Sequence, residues 1–487
     1  MDMDVAPAWT AEEIRRVGHQ AVDLVAEYLI AVPDAPVFRP VPREMATELL
    51  ATPAPRQPQS PDEILAEFRQ KVAPYPFGNG HPRFWGWVNS PPTAMGIFAE
   101  LLAAAMNPSC AGGNHAAVYI ERQVLGWFKS MVGFPNESMG LLVSGGSMAT
   151  VTALAAARHA KAGIPVRTQG LQRISSLLTV YTGSEGHACV RKAVELLGIG
   201  SDQLRTIPVD SRRRMSVDAL RSAIRDDLAA GHRPIAAVAT SGTVNTGAID
   251  PIAEISAVCR EHGLWLHVDG SYGAPAILTE QYRKALEPIG LADSIALDPH
   301  KWLYVPVEAG LVLVRDAGAM RDAFSLVPPY LRTDGNPEGV AGPPWFSEYG
   351  IQQTRGFRAL KVWMCIKQWG LDGYAKAIER NIALAEHLAA RVKESGDLEL
   401  VGTPGLSIVC FRYAPQKLRG DQALLNAINK ALLDEVQLGG QAFVSSTVLE
   451  DRFALRACIV NPYSRAEDID MLVALVRDAG ERQIARL

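Results

Sequence analysis

From Asn89 to Val314 helical runs alternate with short apolar runs, and few folds accept that pattern. The helical runs include SMATVTALAAARHA and VDALRSAIRDDLAAG. The apolar runs are LLTVYTG, IAAVATSG, LWLHVDG, SIALD and GLVLVRD. They are apolar at successive positions, so both faces of each must be buried. Strands of this kind separated by helices predict an α/β domain with a mostly parallel sheet covered on either side. The loops at the carboxyl ends of such strands build the ligand site. The polar residues fall there: Thr240-Ser241-Gly242-Thr243, Asp269-Gly270-Ser271 and Asp298-Pro299-His300-Lys301.

Two other textures flank this region. Residues 1–88 hold an amphipathic helix and a Pro-rich arm. Thr10 and Glu13 have capping-box spacing, and Ile14, Val17, Ala21, Leu24, Val25 and Tyr28 recur on one face. The arm VPDAPVFRPVPREMATELLATPAPRQPQSPDE carries too many prolines for one regular element. A helix and an arm without a core must pack on another body, and a partner subunit is expected to supply it. Residues 371–487 read as a smaller α+β domain, with strands LELVG, LSIVCFRY and FALRACIV. Its last helix is expected to be boxed by Ser464 and Glu467. The large domain is then residues 89–370.

Composition removes several function classes. Lys+Arg 48 against Asp+Glu 52 gives a net charge of -4, and no basic cluster interleaves with aromatics. Nucleic-acid binding is therefore not expected. The six cysteines are scattered, with no C-x-x-C and no histidine at zinc-ligand spacing, so they read as reduced thiols and no metal is expected. The N-terminal MDMDVAPAW has no apolar signal core. The run AMGIFAELLAAAM is too short to cross a bilayer and contains Glu100. The expectation is a cytoplasmic protein with no membrane partner.

Four loop features suggest chemistry. Ser144-Gly145-Gly146-Ser147 opens a helix, where free amides and the helix dipole favour an anion. It lacks the G-K-[ST] ending of a P-loop, and taken alone it is better read as an ordinary turn with Ser147 as N-cap. His187 stands at the start of ACVRKAVELLG, where an imidazole tends to stay neutral; alone it suits capping or packing. Asp269 ends a buried strand, so its carboxylate needs a backbone amide, an arginine or a cationic ring nitrogen. Lys301 lies just beyond another buried strand. Enclosure is expected to lower its pKa, and a neutral amine can form a Schiff base with an aldehyde. An anion site, a strand-end carboxylate and an amine on one rim suit pyridoxal 5'-phosphate, which offers a phosphate, a pyridine nitrogen and an aldehyde.

The motifs HPRFWGWV from His81, SGGSMATVTAL from Ser144, EGHACVRKA from Glu185, HVDGSYG from His267, DPHKWL from Asp298 and RGFRALKVW from Arg355 span nearly the whole chain. In that order and spacing the sequence resembles the pyridoxal-phosphate-dependent group II amino-acid decarboxylases, among them the aromatic L-amino-acid decarboxylases. The resemblance implies the fold-type I transferase architecture. It implies that Lys301 is the Schiff-base lysine, Asp269 the partner of the pyridine nitrogen, and His187 the histidine stacked on the ring. Gly145, Gly146, Ser147 and His300 match positions around the phosphate, and Thr240 a threonine near the ring. Tyr330, in LVPPYLRTDGNPEG, matches the tyrosine of a loop that enters the partner's site, which implies a homodimer with shared sites. The chain departs from the family's pattern at Met148, at Asp298, in GNHAAVYIE with His115 and Tyr119, and at Trp85 and Trp87.

The reaction so implied is decarboxylation of an L-amino acid to its primary amine and CO2. Relatives with phenylalanine at the Tyr330 position, or asparagine at the His187 position, instead couple decarboxylation to oxidative deamination and release an aldehyde; this chain keeps Tyr330 and His187. Trp85, Trp87 and Val88 would form a flat apolar wall for an aromatic substrate. Two alternatives stand beside that reading. The tryptophans are structural, or Arg83 or Arg355 binds an acidic side chain, with a diamino acid as a further substrate option. A non-catalytic pyridoxal-phosphate-binding protein is the reading from another class.

Overall fold

The structure is a computed structural model that describes residues 9–327 and 338–486. Its strands are β1 (Phe84–Trp85), β2 (Met139–Val143), β3 (Leu178–Gly183), β4 (Leu204–Ile207), β5 (Arg233–Thr240), β6 (Trp265–Asp269), β7 (Ser294–Leu297), β8 (Gly310–Val314), β9 (Leu398–Leu400), β10 (Ile408–Tyr413), β11 (Phe443–Leu449) and β12 (Arg452–Cys458). The large sheet has seven strands in the order β2-β8-β7-β6-β5-β3-β4. Strand β8 is antiparallel to both of its neighbours, and the remaining pairs are parallel. The expected α/β architecture with a mostly parallel sheet is therefore present. Strands β2, β3, β6, β7 and β8 are buried at every position, as apolar runs with two covered faces must be. The helix Gly146–Lys161 lies across β5 to β8 and buries Ala149, Ala153, Ala156 and Ala157. Alanines on that face let the helix approach the sheet closely.

The second sheet has the order β1-β11-β12-β10-β9. Strand β1, from the N-terminal region, pairs in parallel with β11, setting Phe84 opposite Phe443 and Trp85 opposite Val444. Helix Arg358–Glu394 runs from the large sheet's core to the second core. It breaks at Gly370 (φ 65, ψ 163), a conformation open only to glycine without strain.

Helix Ala11–Ala31 starts at the expected box: the Glu13 amide donates to Thr10 Oγ1 (3.2 Å) and the Thr10 amide to Glu13 Oε2 (2.8 Å). The last helix, Ala466–Ala485, begins one residue later than expected, and the Arg465 amide donates to Asp468 Oδ2 (2.9 Å). Ser464 is drawn elsewhere. Its hydroxyl accepts from Trp85 Nε1 (3.1 Å) and donates to Pro82 O.

One buried histidine has a measurable consequence. His267 in β6 is fully enclosed, with Nδ1 2.9 Å from Ser294 Oγ. Burial pushes its pKa down to about 4, against the pull of Asp269. An unfolded imidazole titrates near about 6.5, so the unfolded chain takes up this proton first and stability falls as pH drops from about 6.5 to about 4. That gap is worth about 3 kcal/mol. His267→Gln is expected to flatten this part of the acid limb, measured by urea unfolding across the same pH range.

Candidate active site

The carboxyl ends of β2, β3, β5, β6 and β7 open on one rim. Register aligns Thr240, Asp269 and Ala296 across β5, β6 and β7. The loops beyond are knitted together: Ser241 N donates to Asp269 O (2.9 Å), Gly270 N to Ala296 O (2.9 Å), and Asp298 N to Ser271 O (3.2 Å). Asp298 then turns the chain, and Lys301 N donates to Asp298 O (3.0 Å). Strand pairing thus brings Asp269 and Lys301 together from 32 residues apart in the numbering.

Asp269 is buried at the end of β6. Its Oδ1 accepts from the Ser271 amide (3.1 Å), while Oδ2 faces the Cys189 thiol at 3.9 Å, too far for a strong bond. Burial pushes the Asp269 pKa up, but Lys301, Ser271 and His267 together hold it below the usual carboxylate range. The site therefore contains an ionised carboxylate with one oxygen poorly satisfied.

Lys301 Nζ lies 2.9 Å from Asp298 Oδ2, which is buried. Here the expectation of a lowered pKa is corrected. Burial does push the amine down, but Asp298 and Asp269 outweigh it and hold the pKa above the ordinary lysine value. Desolvation wins only where no opposite charge is near. Sequence reasoning noted Asp298 as a departure and missed its role as the lysine's partner; the three-residue spacing across a turn was the available signal.

The helix Gly146–Lys161 begins at Gly145 with no side-chain cap, so Ser147 is not the N-cap and the first-turn amides are free for an anion. A β-carbon on Gly146 would collide with Ser271 Oγ, and one on Gly310 with the Gly145 backbone. Ser147 is exposed at this opening. His300 closes the side: its Nδ1 lies 2.7 Å from Ala309 O, its carbonyl accepts from Ser90 Oγ (3.1 Å), and burial pushes its pKa down. His187 lies open at the cleft. Its Nδ1 accepts from the Cys189 amide (3.2 Å), and desolvation lowers its pKa although Asp269 opposes. Thr240 is buried with its amide donating to Asp250 Oδ2 (2.8 Å).

These residues fit pyridoxal phosphate. The uncapped glycine turn suits a phosphate, the poorly satisfied Asp269 Oδ2 suits a protonated ring nitrogen, and Lys301 supplies the amine for an aldehyde. The buried Asp298 Oδ1 has no hydrogen-bond partner, as befits a cleft made to receive a polar group.

The expected substrate wall divides. Trp85 is corrected: it is completely buried in the second core with Leu388, Phe411 and Val444, and its indole N–H is taken by Ser464. No substrate can reach it. Trp85→Ala is expected to cost about 3–5 kcal/mol in urea unfolding through the cavity it leaves, with KM little changed. Trp87 is half-exposed with φ 48 and stacks on Phe77 (5.2 Å between ring centroids). Val88 is buried in the large core. Arg355 is unavailable to an acidic substrate. It is buried against Glu121 (2.5 Å) and donates to Cys110 O (2.9 Å) and Leu142 O (2.6 Å). Arg83 Nη1 reaches the Met471 sulfur (3.4 Å). Tyr330 lies outside the described residues.

Residues 42–414 match the family model described as the pyridoxal-dependent decarboxylase conserved domain. An aromatic-L-amino-acid decarboxylase of Bacillus atrophaeus is 36% identical over 97% of this chain and 96% of its own. Tryptophan decarboxylase 2 of Oryza sativa subsp. japonica is 29% identical over 98% and 96%. The crystal structure of Oryza sativa TDC with PLP and tryptamine superposes with a TM-score of 0.90 at 26% identity, covering 98% of this chain and 99% of that one. With motifs, fold and cleft in agreement, the chain belongs to the pyridoxal-dependent decarboxylase family, a family of carboxy-lyases whose cofactor is pyridoxal phosphate.

Proposed function

We propose that this decarboxylase acts on an aromatic L-amino acid and releases its primary amine and CO2. The observation that carries the substrate class is the state of the polar and aromatic groups near the cleft. Arg355 is consumed by Glu121, while Trp87 stays half-exposed on a segment joined to the Lys301 loop through Ser90 and His300 O. With Arg355 engaged by Glu121, the half-exposed Trp87 ring favours an aromatic side chain over a carboxylate. The names of the relatives support the same reading.

The roles follow from the residues. Bound pyridoxal phosphate supplies an electron sink for the bond between Cα and the carboxylate. Asp269, whose carboxylate stays ionised although buried, would keep the cofactor's ring nitrogen protonated. Lys301 Nζ holds the aldehyde end. Gly145, Gly146, Ser147 and His300 bind the phosphate, and Thr240 borders the ring. His187 orients the ring with its imidazole face, kept neutral by desolvation. Tyr330 delivers a proton to the substrate Cα, directly or through His187.

The working form is a homodimer in the cytoplasm. Among the described residues, helices Ala11–Ala31, Arg43–Ala51 and Pro61–Glu67 bury no side chain of their own, and Ile14, Leu50, Ile64 and Phe68 are exposed. A groove of about 1010 Å³ is lined by Leu24, Val25 and Tyr28 of the first of these helices, Leu65 of the third, and Phe68 and Ile97. An apolar surface of this kind supports burial against a second copy. The cysteines are all free and buried, which suits a reducing compartment. No helix of the described residues is long and apolar enough to cross a membrane.

The test is a panel of L-amino acids assayed for CO2 release, with products identified by mass. Tryptophan, tyrosine, phenylalanine or a hydroxylated relative is expected to give its amine. Preference for glutamate, aspartate or diaminobutyrate would overturn the substrate class. Aldehyde, ammonia and peroxide as main products would overturn the simple decarboxylation.

A further inference from the structure

We propose that Asn245 is a positioning residue through which the second sheet fixes the loop that carries His187. This rests on the reading above, in which His187 orients the cofactor ring.

Asn245 follows β5 in the large domain, yet both ends of its side-chain amide and its backbone carbonyl are engaged elsewhere. Its Nδ2 donates to Glu185 Oε2 (2.8 Å), two residues before His187. Its Oδ1 accepts from Thr447 Oγ1 of β11 (3.0 Å). Its backbone carbonyl accepts from Cys410 Sγ of β10 (3.2 Å) and from Arg456 Nε of β12 (3.3 Å). Three neighbouring strands of the second sheet thus converge on one residue of the large domain. Arg456 is itself buried; its Nε also donates to Val244 O (2.6 Å) and its Nη1 to Trp87 O (2.8 Å). The same sheet therefore grips both the Trp87 segment and the Asn245–Glu185 pair.

The His187 loop has few ties of its own. Ser184 N donates to Ile207 O (2.8 Å) and Gly186 N to Gly183 O (2.8 Å). The imidazole is fixed at Nδ1 by the Cys189 amide and is otherwise open to the cleft. Glu185 is the side-chain anchor, with Asn245 on one oxygen and Arg213 at 3.9 Å from the other. Arg213 in turn pairs with Glu450 (2.7 Å), at the turn between β11 and β12. Both partners of Glu185 thus lead to the second sheet. A ring held by stacking tolerates little tilt, so a loop released from this anchor misplaces the imidazole without touching Lys301 or Asp269.

Asn245→Asp tests this with an isosteric change. It keeps the acceptor for Thr447 but sets a carboxylate against Glu185. In the cofactor-loaded protein we expect altered visible-region circular dichroism, which reports how the bound ring is held. We also expect kcat to fall about tenfold with KM within about twofold. Adding Glu185→Gln reverses the donor, since Gln Nε2 can donate to the new carboxylate. It should restore the dichroism and bring kcat to within about threefold of the parent. Thr447→Val removes only the strand contact and should shift the dichroism in the same direction by less. The inference is overturned if Asn245→Asp keeps parental dichroism and kcat, or if Glu185→Gln restores neither. Should Asn245→Asp not fold, unchanged dichroism in Thr447→Val overturns it instead. A parent protein that forms no amine from any amino acid would sink the proposed function, an outcome distinct from any of these.

Discussion

Asp269→Asn is expected to lower decarboxylation by about 10²–10³-fold while the protein still folds and binds its cofactor. The substitution changes charge and little else. The carboxylate sits buried at the end of β6 and would by burial alone prefer to be neutral. Lys301, the Ser271 hydroxyl and amide, and His267 reverse that preference and keep it ionised. An amide could not hold a proton on the cofactor's ring nitrogen, so under the proposed role the electron sink would be weakened. Because asparagine keeps the shape and can still accept from the Ser271 amide, the second reading of this residue, a structural strand end, predicts near-parental activity. Single-turnover rates at saturating cofactor separate the two. Retention of more than about a tenth of the parental rate would contradict the assigned role.

Lys301→Ala is expected to abolish measurable turnover, a loss of at least about 10³-fold, because this amine is the group proposed to hold the cofactor's aldehyde. Its effect on the cofactor-free fold is equally specific. Lys301 is the cation nearest Asp298, at 2.9 Å, and it also acts on Asp269. Removing it leaves buried carboxylates without their counter-charge, which costs about 3 kcal/mol or more. The sign with pH follows from the raised lysine pKa. The stabilisation is fully present below the unfolded lysine value of about 10.5 and is lost as pH rises through the higher folded value. The difference in unfolding free energy between parent and variant should therefore hold through neutral pH and shrink in alkali. A difference that vanished at neutral pH would contradict the buried pairing.

Much of this was legible in the residues. The apolar runs at Leu178, Ile235, Trp265, Ser294 and Gly310 became β3, β5, β6, β7 and β8, since short unbroken apolar runs between helices suit strands covered on both faces. Strands β2 and β4 were not singled out: MGLLV runs directly into the SGGS turn that drew the reading, and LRTI mixes polar with apolar residues. The reversal of β8 carries no sequence signal, because direction depends on the connection and not on the strand. Trp85 was misread because a tryptophan beside a motif looks the same whether it faces a ligand or a core. Only the pairing of β1 with β11, far apart in the chain, decides which way it points. Ser464 had the spacing of a cap, and a tertiary partner, the Trp85 indole, claimed it first. The rim of Thr240, Asp269 and Lys301 was legible because strand ends in a parallel sheet gather on one edge. The Asp298–Lys301 pair and the Asn245 junction were not, since both depend on distances that only folding sets.

The most direct measurement is borohydride reduction of the cofactor-loaded protein followed by peptide mass mapping. A covalent link between pyridoxal phosphate and the amine of Lys301 predicts loss of visible absorbance and a single phosphopyridoxyl adduct on the peptide containing that residue. A folded preparation saturated with the cofactor that yields no adduct, or carries it on a different lysine, would contradict the account.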